Sequence, residues 1–214
     1  MTIDIDAANA AASGKDPQEI VAQAIELADG GAVVSTNFRP GEAVILHMCS
    51  QAQPGIPVLW VDHGYNTEDT YRFAEDLIAR LSLNVKLYVP RRTRAHREAI
   101  SPALPDPDTP AHDALTNELK LEPFKRGLAE LQPSVWLTAV RRDQTAFRAG
   151  MQHFGLEQSG LVDFPMIKAA PLLEWTEADI ASYLSAHNLP DETVYFDPTK
   201  VHGNRECGLH PGKS

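Results

Sequence analysis

The sequence predicts an α/β protein built on a parallel, twisted sheet flanked by helices. Three observations predict it. Short apolar runs rich in β-branched residues alternate with longer segments of helical periodicity, as in βαβ units. Glycines, prolines and short polar caps punctuate the transitions. Polar and cationic segments follow the strands, at the carboxyl edge where parallel sheets bind ligands.

The elements follow in order. Residues 1–15, acidic and small, are expected to be disordered. DPQEIVAQAIELADGG (16–31) reads as a helix with Asp16 as its cap, Pro17 in its first position and glycines at its stop. AVVST (32–36) is a buried strand, GEAVILHMCSQA (41–52) a helix, PVLWVD (57–62) a strand, TEDTYRFAEDLIARLS (67–82) a helix and NVKLYVP (84–90) a third strand. The proline-rich stretch 101–113 reads as a loop, EPFKRGLAELQ (122–132) as a helix and SVWLTAV (134–140) as a fourth strand. A fifth strand is expected within 164–175, before a helix over 176–188 capped by Thr176. One domain over 16–188 followed by a mobile tail, 189–214, accounts for the whole chain.

Composition narrows the function. A hydrophobic fraction of 43% with 22% charged residues is that of a soluble globular protein. No apolar run is long enough to span a membrane, and the N-terminus lacks the basic start and apolar stretch of a secretory signal, so a cytoplasmic location is expected. A net charge of −10 argues against nucleic-acid binding. Positive charge is local, in Arg91, Arg92, Arg94 and Arg97 and again in Arg141, Arg142 and Arg148, and such islands suit a small anion. The eight histidines show neither HxH nor HExxH spacing, so no metal site is expected. Of the two cysteines, Cys49 sits in an apolar helical pattern and reads as core, whereas Cys207 lies in the polar tail NRECGLHPGKS.

Three constellations can carry chemistry. In STNFRPGEA a strand enters a helix through a loop whose backbone N–H groups, with Ser35, Thr36 and Asn37, attract an anion. An ordinary strand-to-helix turn has the same composition, and Glu42 would repel an anion. In VRRDQTAFR, Arg141 and Arg142 fall at a strand end, where they face either a ligand or solvent. In the tail, Arg205 and His210 flank Cys207 and favour its thiolate, unless that cysteine is incidental.

Taken together, VVSTNFRPGEAVILH, IPVLWVDHGYNTEDTYRF, KLEPFKRGL, WLTAVRRDQTAFRA and RECGLH resemble the thioredoxin-dependent phosphoadenylyl-sulfate (PAPS) reductases over roughly 17–175 and at the tail. The resemblance implies an adenine nucleotide alpha hydrolase-like fold that binds an adenylyl sulfonucleotide, with Cys207 as nucleophile. It implies substrate contacts from Ser35, Thr36, Asn37, Phe38, Gly41, Asp62, Gly64, Arg141, Arg142, Gln144, Arg205 and His210. It also implies a reduced thioredoxin or glutaredoxin as electron donor and a homodimer. The arginines 91, 92, 94 and 97 are the expected contacts of a 3′-phosphate. Relatives that act on adenylyl sulfate hold an iron–sulfur cluster through cysteines, where this chain has Leu115 and Thr116 and no CxxC, so no cluster is expected. The chain departs from the family pattern at His63, in place of a threonine, and over 189–204, which is short and lacks a Gly-Tyr-x-Ser stretch. A cluster-free adenylyl-sulfate reductase and a nucleotide-binding homologue without reductase activity are the alternatives.

Overall fold

A computed structural model describes residues 4–199. Six strands, β1 (Ala32–Thr36), β2 (Pro57–Val61), β3 (Asn84–Tyr88), β4 (Val135–Leu137), β5 (Phe154–Leu156) and β6 (Ile167–Ala169), form one sheet in the order β3-β2-β1-β4-β6-β5. All pairings are parallel except that of β5 with β6. Residues pair as Val34 with Val58 on one side of β1 and Val33 with Trp136 on the other. The chain winds outward from β1 to β3 and then returns to the far side of β1, which puts a topological switch point between β1 and β4.

Strand alternation divides the apolar side chains between two layers. Val34, Val58, Trp60 and Leu137 face one way and pack with α2 (Pro17–Ala28), α3 (Glu42–Ala52) and α4 (Glu68–Leu81) through Ile20, Val21, Ile45, Met48, Ala74 and Leu77. Cys49 is fully buried in this layer, and its burial raises the thiol pKa, which makes it inert. Val33, Leu59, Val61, Tyr88 and Trp136 face the other way, onto Phe124 and Leu128 of α7 (Glu122–Leu131). The expected caps at Asp16 and Thr176 are present, with Glu19 accepting from the Asp16 N–H and Thr176 and Asp179 capping each other at the start of α8 (Glu177–Ala186), and Thr67 caps α4 in addition.

The structure corrects the expectation in several places. Residues 5–12, expected to be disordered, form α1 (Ile5–Ala12), capped by Asp4. Only Ala8 and Ala12 of this helix are buried, a small apolar gain, so polar docking holds it. The Asn9 side chain accepts from the Phe154 N–H and donates to its C=O, each at 2.9 Å, taking the place of a neighbouring strand at the edge of β5. Composition alone does not show this, because the partner lies 145 residues away.

The arginine run holds a helix, α5 (Arg94–Ile100), capped by Thr93, and the proline-rich loop ends in α6 (Pro110–Thr116), capped by Thr109 with Pro110 in its first position. A π-helical turn, Asn117–Leu121, joins α6 to α7. Pro123 has no N–H to continue the regular ladder there, and the wider turn accommodates that while carrying Lys120 inward. β5 was not anticipated, being three residues long with a central glycine. The expected boundary of the tail also moves: residues 189–199 lie against the domain, with Glu192, Asp197 and Thr199 buried.

Asn9→Ala strips two backbone groups of Phe154 of their partner and is expected to lower the unfolding free energy by about 1–2 kcal/mol. Urea unfolding measures it, and an unchanged midpoint would show that α1 is not docked through this residue.

Candidate active site

The site is assembled from the segments that leave β1, β2 and β4. At the end of β1 the loop 37–41 turns tightly into α3. Thr36 donates its hydroxyl to Glu42 (2.8 Å) and accepts the Phe38 N–H (2.9 Å). The Glu42 carboxylate also takes the Asn37 N–H at 2.7 Å, the Arg39 N–H at 3.4 Å and the Arg39 Nε at 2.8 Å. Glu42 therefore fills the anion position of the loop from within instead of standing outside to repel a ligand. The Gly41 N–H donates to Asp191 at 2.7 Å. Gly41 needs its missing Cβ: at φ +77° an added carbon would lie 3.1 Å from Ile180 and 3.7 Å from Arg141 Nη1.

Of the expected loop contacts, Ser35 accepts from the Trp136 indole at 2.8 Å and shares with Thr36, Asn37, Val61, Lys120 and Phe124 a cavity of about 20 Å³, room for one water. Phe38 is placed otherwise. At φ +52° its ring turns into the core, edge-on to Trp60 at 4.8 Å, so its side chain is out of reach of a ligand. Burying the ring is worth about 2 kcal/mol, which offsets the strained backbone.

After β2, Asp62 organises a turn by accepting from the Gly64 N–H (2.9 Å), Asn66 Nδ2 (3.0 Å) and the Tyr71 hydroxyl (2.8 Å). His63 is buried and accepts the Tyr65 N–H on Nδ1 at 3.0 Å, which leaves the proton on Nε2, where no partner is found. Burial lowers its pKa to about 4, against the opposing pull of Asp197 and Asp62.

The four arginines of 91–97 divide. Arg91 and Arg92 reach Glu122 and Glu118, and Arg94 pairs with Glu98 while lying 4.6 Å above the Tyr65 ring and against Gly64. Arg97 is buried, with its Nε on the Tyr65 hydroxyl at 2.6 Å and Nη1 on the Ser101 carbonyl. The structure thus gives Arg97 a structural position in place of the expected phosphate contact.

After β4, the Arg142 N–H bonds the Leu173 carbonyl, and Gln144 accepts the Arg141 N–H. The Arg141 side chain is 5% exposed and is neutralised by Asp143 and by Glu177, itself 80% exposed. Arg142 pairs with Glu174 and donates to the Met151 carbonyl. The structure thus brings Ser35 to Gly41 and Arg141 together at the switch point, with Gln144 behind them, and sets Asp62, Gly64 and Arg94 one strand away. Arg142 points elsewhere, toward Glu174. Cys207, Arg205 and His210 lie outside the described residues.

Sequence reasoning missed three site groups. Lys120 is buried against the loop and pairs with Asp197 at 2.5 Å, and Asp191 holds Gly41. Burial would raise the Asp197 carboxyl pKa, yet the Lys120 ammonium and the Thr199 hydroxyl hold it below the usual range. The only signal for Lys120 was its place three residues before Pro123, and nothing local marked either aspartate.

Comparison with known proteins gives a concordant result. The family model for the phosphoadenosine phosphosulfate reductase domain matches residues 31–206. The phosphoadenosine 5′-phosphosulfate reductase of Xanthomonas axonopodis pv. citri is 35% identical over 97% of this chain and 92% of its own length. That of Synechocystis sp. is 34% identical over 90% and 85%. Among solved structures, PAPS reductase from Candida auris in a phosphate complex superposes with a TM-score of 0.76 at 21% identity, covering 89% of this chain and 90% of that one. Candida glabrata FMN adenylyltransferase with ATP gives 0.56 at 17%, over 89% and 60%. These structural likenesses show the fold, a mostly parallel α/β sheet flanked by helices.

His63 titrates near 4 when folded and near 6.5 when unfolded, so the unfolded chain gains the extra proton first and stability falls as pH drops from about 6.5 toward 4. Acidification from pH 7 to pH 4.5 should cost about 2–3 kcal/mol through this imidazole. His63→Asn, which keeps an acceptor for Tyr65, is expected to lose that much less in urea unfolding at the two pH values.

Proposed function

The chain belongs to the phosphoadenosine phosphosulfate reductase family, and on that premise we propose that it reduces 3′-phosphoadenylyl sulfate to sulfite and adenosine 3′,5′-bisphosphate in sulfate assimilation. The observation that supports this most is the meeting of the Ser35–Gly41 loop with Arg141 at the switch point, where an anion can be held from two sides. The carboxylate of Glu177 on Arg141 is exchangeable, whereas Glu42 stays as part of the loop. Glu177 is mostly exposed and Asp143 also pairs with Arg141, so a sulfonate can take the place of Glu177 there.

In this reaction the Cys207 thiolate attacks the sulfonate sulfur, the bond from sulfur to the bridging phosphate oxygen breaks, and adenosine 3′,5′-bisphosphate leaves with the electron pair. An S-sulfocysteine remains. A thiolate of reduced thioredoxin or glutaredoxin attacks the Cys207 sulfur and releases sulfite, and the donor's second thiol resolves the mixed disulfide, leaving the donor oxidised and Cys207 reduced. Arg141 offsets the repulsion between thiolate and sulfonate and the charge gathering on the leaving phosphate, with Arg205 and His210 favouring the thiolate. No iron–sulfur cluster takes part.

Arg94, beside Gly64, over the Tyr65 ring and paired with a partly exposed Glu98, is the proposed contact of the 3′-phosphate, with Arg91 and Arg92 as further contacts. The protein acts as a homodimer in the cytoplasm, which light scattering and fractionation test.

Steady-state assays with thioredoxin should show turnover of 3′-phosphoadenylyl sulfate exceeding that of adenylyl sulfate, and equal or greater turnover of the latter would overturn the substrate assignment. Cys207→Ser is expected to abolish sulfite release while binding adenosine 3′,5′-bisphosphate like the parent. Mass spectrometry should find a sulfonate on Cys207 in the parent, and its absence at saturation would point to a nucleotide-binding protein instead.

A further inference from the structure

Lys120 and Asp197 form an ion pair at 2.5 Å in which each side chain is only 2% exposed. Both oxygens of Asp197 are engaged. Oδ2 takes the Lys120 Nζ, and Oδ1 takes the Thr199 N–H at 2.9 Å and its hydroxyl at 2.6 Å, which locks the turn 197–199. Lys120 in turn lines the same small cavity as Ser35, Thr36 and Asn37. Asp191 makes an earlier attachment of this strap, on the Gly41 N–H.

Burying two charges costs roughly what their attraction returns, so such a pair adds little net stability, and specifying one arrangement of the chain is the role left to it. Cys207 follows Thr199 by eight positions. At full extension eight residues reach about 28 Å, so pinning the chain at Asp197 shortens the tether of Cys207 and raises its effective concentration within that radius.

We propose that Lys120 and Asp197 are positioning residues for the Cys207 thiol, anchoring the base of the tail to the wall of the sulfonucleotide site. The proposal rests on Cys207 being the nucleophile, and two measurements keep the anchor and that reaction separable. Trypsin cleavage after Lys200 requires residues 197–199 to open. It is expected to be about tenfold faster in Asp197→Asn, and an unchanged rate overturns the anchor whatever the reaction. Should that variant fail to fold because Lys120 is left uncompensated, Lys120→Gln/Asp197→Asn leaves no buried charge. The double variant is expected to show the same faster cleavage, and cleavage at the parent rate overturns the anchor there too.

The second measurement is single-turnover sulfonation of Cys207 at saturating 3′-phosphoadenylyl sulfate, followed by mass spectrometry. Asp197→Asn should slow it about tenfold with the affinity for adenosine 3′,5′-bisphosphate unchanged, because only the local concentration of the thiol falls. Sulfonation at the parent rate, or an equal loss of rate and affinity, overturns the positioning role. A parent protein that acquires no sulfonate at all refutes the reaction, while the trypsin result still decides the anchor.

Discussion

The parallel pairing of β1 with both β2 and β4 is the constraint on which the rest depends. With these pairings every strand except β5 ends on one edge of the sheet, and the connections leaving β1 and β4 part in opposite directions. The gap between them is where a loop of backbone donors and an arginine can face the same space without competing for it. Gly41 lets them approach, since a side chain there would press on Ile180.

The charges at these strand ends are settled internally. Glu42 occupies the loop donors, Glu177 and Asp143 neutralise Arg141, and Asp197 neutralises Lys120. These carboxylates differ in how firmly they are held. Glu42 is buried and takes four donors, so it is part of the loop's architecture, and losing it would leave several of them unsatisfied. Glu177 is exposed, so of these carboxylates it is the one most open to exchange with solvent. Asp197 is as buried as its lysine, which makes it a fixed point of the strap. One electrostatic principle thus holds these carboxylates to different degrees, separated by burial.

Most of the fold was legible because its signals are local. The strands 32–36 and 57–61, the helices 42–52 and 68–81 and their caps follow from alternation, helical period and side chains that bond within four residues. The polar loop at 35–41 and the cluster at 141 and 142 were visible as segments following strands for the same reason, though not the carboxylates that hold them. What failed was non-local. α1 owes its place to Asn9 meeting Phe154, the ring of Phe38 is withdrawn by Trp60, and Arg97 is claimed by Tyr65.

The order of the main strands and helices, the family resemblance and the chemical character of the segments at the strand ends could be read from residue order, since neighbouring residues and short motifs carry them. Folding set which cations meet carboxylates, which are thereby neutralised, and that Lys120 holds Asp197. Those outcomes depend on desolvation and on distances between residues far apart in the chain, and neither quantity exists until the sheet has closed over its helices.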